Sequence, residues 1–172
     1  MWYNGPTIPL PSAPPLSTRP SLAPAFWSRL RQWLGLAAES ALVARVIDGD
    51  SIRLNDGREV RYLGIDAPEL GGPEAAWAEK AKAANARLVE GRRVRLETAA
   101  GEADQDVYGR LLRHVFAGGT WVNGRLVEMG LARLDAYGPP HGRERDLARL
   151  QERAKRRGRG LWAKQRPWWR FW

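Results

Sequence analysis

From Ala41 onward the chain is written in short β-type runs, ALVARVI, SIRL, EVRYLGI, RRVRLE and RLLRHVFA, each bounded by Gly, Asn, Asp or charged residues. Runs this short and this rich in Val, Ile and Leu specify strands. Asp56-Gly57 stands between the second and third runs and signals a tight hairpin. One tract breaks the pattern. Between Pro73 and Gly91, Trp77, Ala81, Ala84 and Leu88 recur on one helical face, with Pro at the opening and Gly at the close. A weaker helix, VNGRLVEMG, follows Trp121, and a charged one runs from about Gly142 to Lys155 with Leu147, Leu150 and Ala154 inward. Three strands, a helix, two strands and two short helices describe an α+β domain on a closed antiparallel barrel of five strands, with three helices.

The strand pattern is interrupted at one place. In VIDGDSIRL, Asp48 and Asp50 flank Gly49 between two runs that otherwise read as buried. A second acidic pair, Asp66 and Glu69 in GIDAPEL, follows the third run directly. In a hairpin meander, the ends of strands one and three lie at the same sheet edge, which brings the four carboxylates together. Such a cluster is self-repelling without a cation, and oxygen donors with no Cys or neighbouring His suit Ca²⁺ or Mg²⁺. Each aspartate alone is also a common turn residue bonding its own backbone.

Charge and composition narrow the partners. The 172 residues contain no cysteine, which excludes disulfides, thiolate metal sites and a cysteine nucleophile. Residues 1–142 carry 17 Lys and Arg against 16 Asp and Glu, while residues 143–172 carry 11 against 3, so +8 of the net +9 lies in the last segment. A basic segment of this kind seeks a polyanion, either nucleic acid or an anionic membrane surface; a solvated charged helix is the plain alternative.

The segments ARVIDGDSIRL, EVRYLGIDAPE, VYGRLLRHVF, WVNGRLVEMGLARL and RGLW occur in this order between about Ala41 and Trp162. Together they resemble the staphylococcal nuclease, or thermonuclease-like, family. The resemblance implies an OB-fold barrel with three helices and a Ca²⁺-dependent phosphodiesterase acting on DNA and RNA with little sequence specificity. Carried over by motif, Asp50, Asp66 and the Ala67 backbone carbonyl would ligate the metal, with Asp48 supporting them. Glu69 would orient or deprotonate the attacking water, and Arg61 and Arg110 would grip the scissile phosphate. The chemistry is consistent with those roles, because guanidiniums and a divalent ion both neutralise charge building on phosphate oxygens. Tyr108 and Tyr137 are candidate base-stacking platforms. This chain departs from the best-known members at Ala67, where they carry Thr, at Val107, where they carry Lys, and in keeping only Tyr137 of two tyrosines.

Outside the domain, residues 1–24 are Pro- and Ser-rich and read as an extended tether. Residues 25–40 read as a short amphipathic helix that either docks on the domain or lies on a membrane surface. Residues 163–172 form a basic, Trp-rich tail suited to phosphates, bases or an anionic bilayer interface. No secretory signal or membrane span is recognisable, the compartment stays open, and a monomer is expected. His114 and His141 have no partner at ligand spacing and read as structural. The rival function is a non-catalytic OB-fold nucleic-acid-binding module, with or without envelope association; presence of all the acidic and arginine positions favours the enzyme.

Overall fold

The structure is a computed structural model and describes residues 38–99, 104–136, 138 and 140–163. The strands are β1 (Ala38–Val46), β2 (Ser51–Leu54), β3 (Glu59–Tyr62), β4 (Ile65–Asp66), β5 (Arg93–Glu97), β6 (Leu111–Ala117), β7 (Thr120–Trp121) and β8 (Arg133–Leu134). The helices are α1 (Ala75–Val89), α2 (Val122–Glu128) and α3 (Glu144–Arg156), followed by a 3₁₀ turn at Gly160–Trp162. The fold is an OB-fold barrel of five principal strands with three helices, as expected.

Two alternating faces build the barrel. Val43, Val46, Ile52, Leu54, Val60, Tyr62, Val94, Leu96, Leu111 and Val115 are buried, while most of their strand neighbours are more exposed, with Ser51, Arg113 and His114 the buried exceptions. β1 serves both halves. Its first part pairs with β5 and its last part with β2, and the register shifts between Val43 and Arg45, so Ala44 is a bulge residue. The bulge bends the strand from one half of the barrel to the other.

Closure occurs where β3 pairs with β6, and this pair is parallel. The expectation of an all-antiparallel barrel is corrected here for a geometric reason: five strands around a ring cannot alternate direction at every junction. The third run is also not one strand. It breaks at Leu63-Gly64, where Gly64 has φ of 73°, and β4 then leaves the barrel to pair with β8. A side chain at Gly64 would collide with the His141 ring, so the turn needs glycine for space as well as for its dihedral.

Ala38, Glu39 and Ser40 were expected at the end of the amphipathic helix but are extended and paired with Glu97, Leu96 and Arg95. The carbonyls and amides of β5 offer them a sheet edge, which overrides their helical propensity. The tether, residues 25–37 of that helix and residues 164–172 of the tail lie outside the described residues. Among the described residues, no helix is long and apolar enough to cross a membrane.

The last motif, RGLW, is pinned by backbone. Leu161 donates its N–H to the Gly130 carbonyl at 2.8 Å, and a Cβ on either Gly130 or Gly160 would strike the other segment. This contact ties the end of α3 to the turn after α2.

Candidate active site

The loop from β1 to β2 is shaped by its own carboxylate. Asp48 Oδ1 accepts the Asp50 N–H at 3.0 Å, a local turn closure typical of Asp. The Asn85 amide, from the inward face of α1, donates to the Asp48 carbonyl at 3.2 Å and accepts the Tyr62 hydroxyl at 2.8 Å. Gly49 lies flat against this support. A Cβ there would sit 2.5 Å from the Ala67 Cβ and 2.8 Å from that of Ala81. The glycine between the aspartates is therefore required by close packing, which answers why the acidic pair is split by it.

Asp50 is 1% exposed. Its Oδ2 accepts the Ala67 N–H at 2.6 Å, and its Oδ1 accepts the Ser51 hydroxyl at 3.2 Å and one Arg61 nitrogen. Burial pushes its pKa up to about 7, opposed by Arg61 and assisted by the charges of Asp48 and Asp66. A buried carboxyl held this high is half-ready to ionise at neutral pH and is stabilised by any cation that reaches it.

Arg61 bridges the two acidic segments. It donates to Asp50 and, through its other terminal nitrogen, to Asp66 Oδ1 at 2.8 Å. Desolvation opposes its charge, but Asp50, Asp66 and Asp48 together raise its pKa. Tyr62, its neighbour on β3, points the other way into the core, as the period-two pattern requires. Asp66 itself is open, with its side chain 60% exposed.

Arg110 precedes β6 and is aimed by Asp106. The Asp106 carboxylate accepts the Arg110 Nε–H at 2.7 Å, the Arg110 backbone N–H at 3.0 Å and the Tyr108 backbone N–H at 2.9 Å. Burial raises the Asp106 pKa, but these donors outweigh it and hold the carboxyl below its usual range. Sequence reading missed Asp106 and Asn85. The i, i+4 spacing to Arg110 was a signal for the first, and an amide among the alanines of an inward helical face for the second.

These groups line one cleft of about 420 Å³. Asp48, Asp50, Arg61, Asp66, Ala67, Glu69 and Arg110 all border it, with Pro68 and Leu70. Both acidic segments and both arginines thus meet there. Tyr108 is 82% exposed and stands outside the lining, with the Arg110 guanidinium 5.5 Å from its ring. Tyr137 lies outside the described residues. His114 and His141 are buried away from the cleft, ring against ring at 5.3 Å.

Among the described residues, no three His, Cys, Asp or Glu side chains converge closely enough to enclose an ion unaided. The carboxylates of Asp50 and Asp66, both bonded to Arg61, border an open cleft together with Ala67. Such a set suits a hard cation that keeps water in its shell, as Ca²⁺ and Mg²⁺ do.

The chain is 37% identical to the thermonuclease of Staphylococcus intermedius over 131 residues, covering 72% of this chain and 76% of that protein. It is 36% identical to endonuclease YncB of Bacillus subtilis (strain 168) over 127 residues, 70% of this chain and 60% of that protein. It is 34% identical to the SPbeta prophage-derived endonuclease YokF of the same strain, again over 70% of this chain but 43% of that protein. The match therefore spans less than two thirds of the two Bacillus proteins. Residues 59–164 match the family described as Staphylococcal nuclease homologue, and the chain belongs to that family.

Proposed function

We propose that this protein is a Ca²⁺-dependent nuclease that hydrolyses phosphodiester bonds of DNA and RNA with little sequence specificity. The observation that carries the reading is the convergence of Asp50, Asp66, Glu69, Arg61 and Arg110 on one cleft. Family membership supports it, as do relatives named thermonuclease and endonuclease.

Asp50, Asp66 and the Ala67 carbonyl would hold the ion, with Asp48 fixing the loop that carries Asp50. Bound there, Ca²⁺ would polarise the phosphate and acidify an attacking water. Glu69 borders the same cleft and is assigned to orient that water and take its proton. Arg61 uses two donors on carboxylates, which leaves N–H groups of its guanidinium for a phosphate oxygen. Arg110, aimed by Asp106, supplies the second guanidinium for charge developing on the non-bridging oxygens.

The direct test is cleavage of end-labelled DNA and RNA oligonucleotides in Ca²⁺ and then in chelator. Cleavage in Ca²⁺ that stops on chelation is the expected result; cleavage undiminished by chelator contradicts the metal assignment.

A further inference from the structure

We infer that the outer face of α3 is a second nucleic-acid-binding surface, which holds the phosphate backbone apart from the cleavage cleft. This rests on the nucleic-acid reading of that cleft only for the identity of the polyanion.

The inward face of α3 is settled by packing. Leu147 and Ala154 are buried, and Gln151 Oε1 accepts the Leu134 backbone N–H at 2.9 Å. On the opposite face, Arg145, Arg149, Arg153 and Arg156 succeed one another at i, i+4 or i, i+3 spacing and are exposed. The stripe is about 17 Å long, enough to lie along a phosphate backbone.

The acidic residues of the helix neutralise this stripe only at Arg149. Glu144 accepts the backbone N–H groups of His141 and Gly142 at 2.6 and 3.0 Å. Asp146 pairs with Arg149 at 2.5 Å, and Glu152 with Lys155 at 2.9 Å. All three carboxylates are engaged. The side chains of Arg145, Arg153, Arg156 and the following Arg157 make no hydrogen bond or ion pair among the described residues. Three guanidiniums of α3, and that of Arg157 just past its end, therefore stand exposed without a hydrogen-bonded carboxylate partner.

Beside the stripe runs a groove of about 290 Å³, lined by Trp121, Leu150, Arg149, Arg153 and Asp146. An aromatic ring and an aliphatic floor flanked by guanidiniums fit a nucleotide, with the base against the apolar surface and the phosphate toward the arginines. No residue of α3 lines the cleavage cleft, so the two surfaces are separate. The function of this face is to raise affinity for long polymers by a second, salt-sensitive attachment.

The test is the full chain carrying Arg145→Gln, Arg153→Gln, Arg156→Gln and Arg157→Gln together. Binding is measured in Ca²⁺-free buffer to a duplex of about thirty base pairs and to a strand of about four nucleotides that fills only the cleft. The variant is expected to bind the duplex at least tenfold more weakly at low salt. Its log–log salt slope should be shallower by about two to four, since each lost phosphate contact contributes about 0.9. Affinity for the short strand, and the circular dichroism spectrum, should stay within error. Unchanged duplex affinity and slope overturn the inference. Equal weakening of both ligands also overturns it, because the surfaces would then not be separate. Retained duplex binding with lost binding to vesicles of anionic phospholipid assigns the face to membranes and overturns it as well. Loss of duplex binding by the variant sustains the inference even if the wild-type chain cleaves nothing, so the two readings fail independently.

Discussion

The backbone N–H of Ala67 donates to Oδ2 of Asp50 at 2.6 Å. This bond joins the segment after β4 to the loop after β1, and it holds the two acidic stretches of the sequence in one cleft. In the proposed function this bond orients the carboxylate whose ionisation would decide whether a cation is held. Because burial raises the Asp50 pKa to about 7, protons would compete with the proposed Ca²⁺ for this carboxylate. Calorimetric Ca²⁺ affinity is expected to be about tenfold weaker near pH 6 than near pH 8. Equal affinities at the two pH values would remove Asp50 from the ion's donors.

Glu69 and Arg110 are assigned to the chemistry and Asp106 to aiming Arg110. Glu69→Gln and Arg110→Ala are expected to lower turnover by about two to four decades. Asp106→Asn leaves the guanidinium present but less well held, so a smaller loss of roughly tenfold to a hundredfold is expected. Single-turnover cleavage at saturating substrate measures all three. Near-normal turnover for either of the first two would place the chemistry on other residues.

Gly49→Ala is expected to destabilise the fold by about 1–3 kcal/mol, as added core atoms do where neighbours cannot yield. Both neighbours, Ala67 and Ala81, are themselves small, buried and backbone-fixed. Denaturant unfolding is the measurement, and an unchanged midpoint would mean that the loop can lift without cost.

His114 gives a pH signature. It is 2% exposed, its Nε2 lies 3.0 Å from the His141 carbonyl, and burial lowers its pKa to about 4. The unfolded chain binds a proton at this residue below about pH 6.5 while the folded chain does not. Its stabilising contribution is therefore complete above about 6.5 and is lost as pH falls toward 4, by up to about 3 kcal/mol. Asp50 has the opposite sign, since a raised carboxyl loses stability as pH rises from about 3.8 to 7. The stability difference between wild type and His114→Gln isolates the histidine. That difference should shift by about 3 kcal/mol in favour of the variant between pH 6.5 and 4. A difference independent of pH would show that His114 titrates normally in the fold.

Most of the barrel was legible because its strands alternate cleanly and its turns carry Asp-Gly or Gly. The residues that form α1, α2 and α3 were legible because their apolar faces repeat at helical spacing. What stayed hidden depends on pairing across distance. The two-residue strand β8 has no periodicity of its own and exists only because β4 leaves the barrel to meet it. Ala38–Ser40 read as helix because the edge of β5 that captures them lies more than fifty residues away. Within the cleft, carboxylates and arginines announced themselves by type. Their supports did not: Asn85 acts through a backbone carbonyl, and Gly49 through the side chain it lacks.

In the proposed function Asp50 and Asp66 hold the ion on which cleavage depends. The most direct measurement is cleavage of a labelled oligonucleotide against Ca²⁺ concentration for wild type, Asp50→Asn and Asp66→Asn, with Ca²⁺ affinity measured on the same samples. Saturable cleavage is predicted for wild type, with no cleavage above the chelated control for either variant and Ca²⁺ binding weakened by about a hundredfold or more. Cleavage by either variant at the wild-type rate and Ca²⁺ midpoint would contradict the account.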